Sequence, residues 1–356
     1  MSRRAAVRGL GVALIAWSAV GLGCAGSMSG MQLDEVSDAP IAFVYWDPEA
    51  ARRRQELMDE ARSGRSSAMP RKAGVATAEG IASLFGRDPA TSEGLGRFPG
   101  RVTFLNPRTG ELTRFQGGPA NARPLAWSPD RKRLLFTSAH LGSEFQIYEY
   151  DFEADQLRPL SRGPAMHLEA DYASDGRLVM SFIEYRAGRS TAGMRVTDAH
   201  GARAEPVVDG AYPSGPRFSP NGETVVYVRA VNRPPRTGQD RDMSTIVAQG
   251  TSLSAEPDVL TRGREPAFLP DGSGIVYSTE TTQGWRLQRM RIDGGGRAPL
   301  GGSIRDERTP AVSPDGRHVV YVSPGDDGIE RLYIRRIDGS GDRILLGEGA
   351  AAWPVW

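Results

Sequence analysis

From Ile41 to Trp356 the chain alternates short apolar, β-branched or aromatic runs with Pro-, Asp- and Gly-rich turns. One unit recurs: an apolar residue, a Ser-Pro-Asp-Gly turn or a relative of it, then a β-rich run. Trp127-Ser-Pro-Asp130 leads into Leu134 to Phe136, and Tyr172-Ala-Ser-Asp-Gly176 into Leu178 to Met180. Phe218-Ser-Pro-Asn-Gly222 leads into Val225 to Tyr227, Phe268-Leu-Pro-Asp-Gly272 into Ile275 to Tyr277, and Val312-Ser-Pro-Asp-Gly316 into Val319 to Tyr321. The units start at residues 127, 172, 218, 268 and 312, so they are 44 to 50 residues apart.

Each motif predicts a tight hairpin. Proline presets the first corner, Asp130, Asp175, Asn221, Asp271 or Asp315 follows, and Gly176, Gly222, Gly272 or Gly316 supplies a positive φ. Two further strands follow in each unit, as in Gln146 to Asp151 with Leu157 to Leu160, and Arg331 to Ile337 with Arg343 to Leu346. Four short strands per period are the blade of a β-propeller. The chain ends complement each other. Pro354-Val-Trp356 matches the inner-strand segments Pro310-Ala-Val312 and Pro266-Ala-Phe268, whereas Ile41 to Trp46 reads as a second strand lacking a first. The expected fold is therefore all-β: a six-bladed propeller over residues 38–356, closed by the C-terminal strand joining the N-terminal blade. Closure removes the exposed sheet edges of an open array.

These turns and their spacing resemble the TolB-like six-bladed propellers, with their WD-like repeat, of bacterial envelope proteins. The resemblance implies an envelope protein that binds other proteins. No counterpart is expected for the α/β domain that precedes the propeller in TolB, because residues 25–40 are too few to form one. Fold alone does not fix function.

Residues 48–100 interrupt the first blade as a partly helical insertion. Asp47-Pro48-Glu49 is a helix start, with an acidic cap, proline in the first turn and glutamate near the positive end of the dipole. It predicts a helix to about Arg62. Ser63 to Ala76 reads as a linker, and Ile81, Leu84 and Phe85 have helical spacing. The insertion is either a surface loop laying Phe85 on the propeller or a lid or docking helix on one face of the ring.

Composition adds a compartment. Residues 1–24 read as an export signal, with Arg3, Arg4 and Arg8 before an apolar stretch from Leu10 to Leu22. The stretch is short for a membrane span. It ends at Cys24, the one cysteine of the chain, so internal disulfides are excluded. Lipid attachment at Cys24, as in bacterial lipoproteins, would tether the ring through a linker at 25–37; simple cleavage and an uncleaved anchor are the alternatives. Ala25 after the cysteine points to the outer membrane. The formal net charge of +1 argues against a nucleic-acid partner.

Chemical motifs are scarce. Neither Lys72 nor Lys132 follows a glycine, which excludes a P-loop, and no Gly-x-Ser-x-Gly elbow exists. The four histidines show no metal-ligand spacing, so no metal or cofactor is expected. His318 falls in a strand after a turn and reads as an ordinary surface residue. His167, Glu169, Asp171, Asp306 and Glu307 are candidates for the channel mouth, as a ligand site or as plain loop charges. Arg229, Arg233, Arg236, Asp240 and Arg241 on one loop, and Asp326 and Asp327 on another, are candidates for a docking rim. The expected function is a non-catalytic interaction scaffold of the envelope, with a propeller that binds or hydrolyses glycans or peptides as the alternative.

Overall fold

A computed structural model describes residues 31, 33–62, 100–118, 122–140, 144–186, 189–210, 212–229, 244–301 and 306–356. They form six four-stranded antiparallel sheets. Blade 1 holds β1 (Ile41–Trp46), β2 (Arg101–Leu105) and β3 (Leu112–Arg114). Blade 2 holds β4 (Arg123–Trp127), β5 (Arg133–Ser138), β6 (Gln146–Asp151) and β7 (Gln156–Pro159). Blade 3 holds β8 (Met166–Tyr172), β9 (Leu178–Arg186), β10 (Arg189–Thr197) and β11 (Glu205–Asp209). Blade 4 holds β12 (Pro213–Phe218), β13 (Thr224–Arg229), β14 (Thr245–Gly250) and β15 (Asp258–Arg262). Blade 5 holds β16 (Arg264–Phe268), β17 (Gly274–Thr281), β18 (Gly284–Arg291) and β19 (Ala298–Pro299). Blade 6 holds β20 (Arg308–Val312), β21 (His318–Pro324), β22 (Glu330–Arg336) and β23 (Arg343–Ile344).

The last strand, β24 (Ala350–Val355), pairs antiparallel with β1, opposing Ala42 to Val355 and Trp46 to Ala350. The C-terminus thus supplies the inner strand of blade 1, as the sequence predicts. Each inner strand touches the inner strands of both neighbouring blades, so the ring is closed.

The core lies between blades. Val179, Met194 and Val207 of blade 3 pack on Val225, Tyr227 and Val247 of blade 4. Five equivalent clusters fill the other junctions, and one of them joins blade 6 to blade 1 through Phe43, Val320 and Leu332. Burying each such side chain contributes about 1.5–3 kcal/mol. The repeated tyrosine of the second strand also carries a polar task. The hydroxyls of Tyr227, Tyr277 and Tyr321 donate to Gln249 (3.0 Å), Gln288 (2.8 Å) and Asp342 (2.7 Å).

The turn motif closes as expected, with φ between 69° and 87° at Gly176, Gly222, Gly272 and Gly316. Its serine contributes more than the sequence reading assigned. Ser313 Oγ donates to Asp315 at 2.5 Å and accepts from the His318 amide at 2.9 Å, bridging the turn to the next strand. Ser128 and Ser219 accept from the amides of Arg133 and Thr224 in the same way. In the first copy Arg131 replaces the glycine and takes the left-handed conformation itself, at φ 57°.

Strand direction alternates, so connections fall at two ends of the ring. The first-to-second and third-to-fourth turns share one end, here the turn end. The second-to-third loops and the blade-to-blade connections share the other, the loop end. Helix α1 (Pro48–Arg62) follows β1 and therefore lies at the loop end. Asp47 caps it, accepting from the Glu49 amide (3.1 Å) and the Ala50 amide (2.9 Å). Residues 63–99 of the insertion, with Ile81, Leu84 and Phe85, lie outside the described residues. Among the described residues no helix is long and apolar enough to cross a membrane.

Candidate functional site

The inner strands carry an irregularity shared by all six blades. Each first-to-second strand pairing shifts register in mid-strand. At the shift, Gly215, Glu265, Thr309 and Trp353 take φ of 57°, 56°, 48° and 52°. Each is followed by proline, namely Pro216, Pro266, Pro310 and Pro354. Proline has no N–H to lose from the ladder, so a bulge is where it fits a strand. In blade 2 the equivalent residue is Pro124, and in blade 3 it is Glu169.

These bulges place polar side chains across blade junctions. Glu265 Oε2 accepts from the backbone N–H of Thr309, the equivalent residue one blade on, at 2.6 Å, and from Ser278 Oγ at 2.9 Å. Glu169 accepts in the same way from the amide of Gly215. Arg123 adds a third strand, donating to Leu168 O at 2.9 Å and Glu169 Oε1 at 3.1 Å. Its guanidinium also stacks 5.6 Å from the Trp353 ring, and Trp353 lies 6.2 Å from Trp46. Arg54 of α1 stacks 4.8 Å from the Trp46 ring and pairs with Glu330 at 3.2 Å. A continuous set of contacts therefore runs from α1 over the loop end of blade 1 to the inner strands of blades 2, 3 and 4.

The channel candidates divide into two groups. His167, Glu169 and Asp171 lie together on β8. Burial makes the His167 imidazole a weak base, lowered to about 4, and leaves its Nδ1 without a hydrogen-bond partner. Asp171 keeps partial solvent contact, yet the protein around it raises its carboxyl to about 6 against the opposing charge of Arg217 and the Phe218 amide. That amide donates to Asp171 Oδ2 at 2.8 Å, a further tie between blades 3 and 4.

Asp306 and Glu307 stand at the start of the blade 6 inner strand and are engaged elsewhere. Asp306 accepts from the Trp285 amide at 2.8 Å. Glu307 is buried and pairs at 2.6 Å with Arg335, which is itself fully buried. Arg335 also meets Asp342 at 2.5 Å and the Tyr321 hydroxyl at 3.0 Å, while Glu307 accepts from the Leu287 amide at 3.0 Å. This network fastens blade 5 to blade 6. Sequence reasoning missed Arg335, Glu265 and Arg123, whose only signal was their register on the inner and third strands. Among the described residues no three His, Cys, Asp or Glu gather to hold a metal ion.

Of the rim candidates, Arg229 ends β13 at the loop end, while Asp326 and Asp327 lie in the loop after β21 at the same end, two blades away. Arg331 forks onto Asp327 at 2.6 Å through each nitrogen and lowers its carboxyl to about 2. Arg233, Arg236, Asp240 and Arg241 lie outside the described residues, as does Cys24. The turn residues Asp130, Asp175, Asn221, Asp271 and Asp315 all take structural bonds within their hairpins.

The geometry defines a closed six-bladed propeller whose polar inner-strand residues mainly tie blades together. It is the propeller fold of TolB. The crystal structure of TolB from Acinetobacter baumannii superposes with a TM-score of 0.58 at 15% identity, over 89% of this chain and 66% of that one. Hydrazine synthase from Kuenenia stuttgartiensis gives 0.62 at 14% identity, over 89% of this chain and 46% of the other. By sequence the chain is 25% identical to the uncharacterised protein Atu1656 of Agrobacterium fabrum over 276 residues, covering 72% of this chain and 87% of that one. It is 23% identical over 194 residues to YuxL, an uncharacterised peptidase of Bacillus subtilis, covering 44% of this chain and 29% of the peptidase. The chain thus spans less than a third of the peptidase's length. No family model matches.

Proposed function

We infer that the protein is a non-catalytic interaction scaffold of the bacterial envelope, on the periplasmic side, held at the outer membrane through a lipid on Cys24. The observation that carries this reading is the loop end. There α1 is docked on the ring by Arg54 and by Ala51, which is buried among Val44, Trp46, Ile329 and Ala350. A closed ring holds such a surface rigid, so a partner loses little entropy on binding it. Tethering raises the effective concentration for envelope partners. The propeller shared with TolB supports the same direction, and no nucleic-acid partner is expected of a chain with net charge +1.

Residues 33–40 are fastened along the turn end. Val36 is fully buried and its carbonyl accepts two bonds from Arg108, at 3.0 and 3.2 Å. The Trp356 indole donates to Ala39 O at 2.8 Å. A tether on Cys24 therefore reaches the ring at the turn end and leaves the loop end facing away. Crosslinked co-purification from detergent-solubilised envelope, comparing the native chain with Cys24→Ser, tests the proposal. A stoichiometric envelope protein captured by the native chain and lost with Cys24→Ser supports it. Partner capture unchanged by Cys24→Ser removes the tether from the account.

A second reading is a propeller that binds or hydrolyses glycans or peptides at the channel mouth. The grouping of His167, Glu169 and Asp171 on one inner strand favours it. A bound glycan or metal in place of a protein partner would shift the assignment to this reading.

A further inference from the structure

His318 opens β21 directly after the last turn motif and, against the surface role read from the sequence, is 2% exposed. Its backbone amide is satisfied by Ser313, yet neither ring nitrogen has a hydrogen-bond partner. Buried polar groups are nearly always paired, so an imidazole with two orphan nitrogens asks for a ligand or a role. It lines a pocket of about 580 Å³ at the turn end, together with Arg317, Arg336, Glu35 and Asp338.

The rim is electrostatically incomplete. Among the described residues the exposed Arg317 guanidinium makes no hydrogen bond. Arg336 is held by one carboxylate, that of Glu35 at 3.1 Å. Glu35 belongs to the 3₁₀ turn Leu33–Glu35, and its side chain is 59% exposed. Exposed pairs of this kind contribute little and exchange readily. The fourth charge, Asp338, already accepts from the Ser340 amide and hydroxyl at 2.8 and 2.6 Å.

We propose that this pocket binds a phosphate group, with the Glu35 carboxylate as an internal stand-in for the anion. Phosphate offers enough acceptor oxygens to span two guanidiniums and to take the one N–H of a neutral imidazole, and planar guanidinium forks suit such oxyanions. Displacing Glu35 from Arg336 would free that guanidinium for the anion beside the His318 ring. Four charged groups face that ring, namely Asp315, Arg317, Arg336 and Glu35, and burial keeps its basicity below the ordinary value. The phosphate could be free or carried on a lipid headgroup, and the chemistry of recognition is shared.

The test is imidazole NMR of the full chain in detergent, where only four histidines report and His318→Gln assigns the signal. Inorganic phosphate and glycerol phosphate are titrated separately at constant ionic strength, with sodium chloride as control. A saturable shift confined to His318, abolished in Arg336→Ala and reached at several-fold lower phosphate in Glu35→Gln, is the expected result. The tightening in Glu35→Gln cannot come from a variant that merely fails to fold. Stronger binding of glycerol phosphate assigns the headgroup, and equal or stronger binding of inorganic phosphate assigns the free ion. A shift reproduced by chloride would mean an adventitious ion only and overturns the proposal. So does the absence of saturation, or a response unchanged in Arg336→Ala.

Discussion

Glu265 in blade 5 accepts the backbone N–H of Thr309 in blade 6 at 2.6 Å, and the two residues occupy the same left-handed bulge position of successive inner strands. Glu169 accepts the Gly215 N–H in the same way between blades 3 and 4, without the left-handed conformation at Glu169. The bulge turns a backbone N–H out of its own ladder, and the preceding blade supplies the acceptor. Glu265→Ala leaves the Thr309 amide and the Ser278 hydroxyl without their acceptor, which costs about 1–3 kcal/mol. Glu265→Gln keeps an acceptor and loses less. Urea unfolding midpoints of the two variants check this order.

The Glu307–Arg335 pair is expected to be among the costliest to break. Both side chains are buried, and removing Glu307 leaves Arg335 paired with Asp342 while the Leu287 amide loses its acceptor. Glu307→Ala should lower stability by about 1–3 kcal/mol. The double variant Glu307→Leu with Arg335→Met should recover part of that loss, because a buried pair is often replaceable by apolar packing. A double-mutant cycle by chemical denaturation measures the difference.

His167 and Asp171 give opposite pH slopes. His167 is held at about 4, below the ordinary 6.5, so the unfolded chain binds a proton that the native ring does not. Its contribution is present above pH 6.5 and is lost as pH falls toward 4. Asp171 is raised from 3.8 to about 6, so its native form holds a proton longer, and stability is lost as pH rises across that window. His167→Gln should flatten the acid-side loss. Asp171→Asn keeps an acceptor for the Phe218 amide and should gain most, relative to the native chain, above pH 6. Thermal unfolding of both variants across this pH range checks the signs.

The last hairpin tests the turn chemistry. Gly316 has φ 69°, and a Cβ there would approach Pro270 of the preceding blade's turn at 3.4 Å. Gly316→Ala should cost about 1–2 kcal/mol, the penalty of a left-handed alanine. Ser313→Ala should cost about 1 kcal/mol through the lost bond to the His318 amide. Calorimetric unfolding of each single variant reads both.

The blades were legible because a turn needs particular residues at particular places. Asp315-Gly316 and its relatives announce themselves whatever surrounds them, and the matching ends of Ile41 and Trp356 announced closure. The helix start at Asp47 was legible for the same reason. The inter-blade bonds were not, because Glu265 and Arg335 read as ordinary strand charges until the ring brings blades 5 and 6 together. His318 was misread for a related reason. It follows an exposed turn, but at the first strand position its side chain is buried, lining one pocket with Glu35, nearly 300 residues earlier in the chain. Glu307 looked like its neighbour Asp306, and only packing separates a buried partner of Arg335 from a residue at the rim.

The central claim is that the loop end is the docking surface of a tethered scaffold. Photo-crosslinking in the envelope tests it most directly, with the crosslinking residue placed either at Gln283, in the loop-end turn after β17, or at Glu153, in a turn-end hairpin of blade 2. The account predicts a discrete protein adduct from Gln283 and none from Glu153, with the Gln283 adduct lost when Ala51→Asp displaces α1 from its apolar seat. Adducts from Glu153 alone, or from neither position, would contradict it.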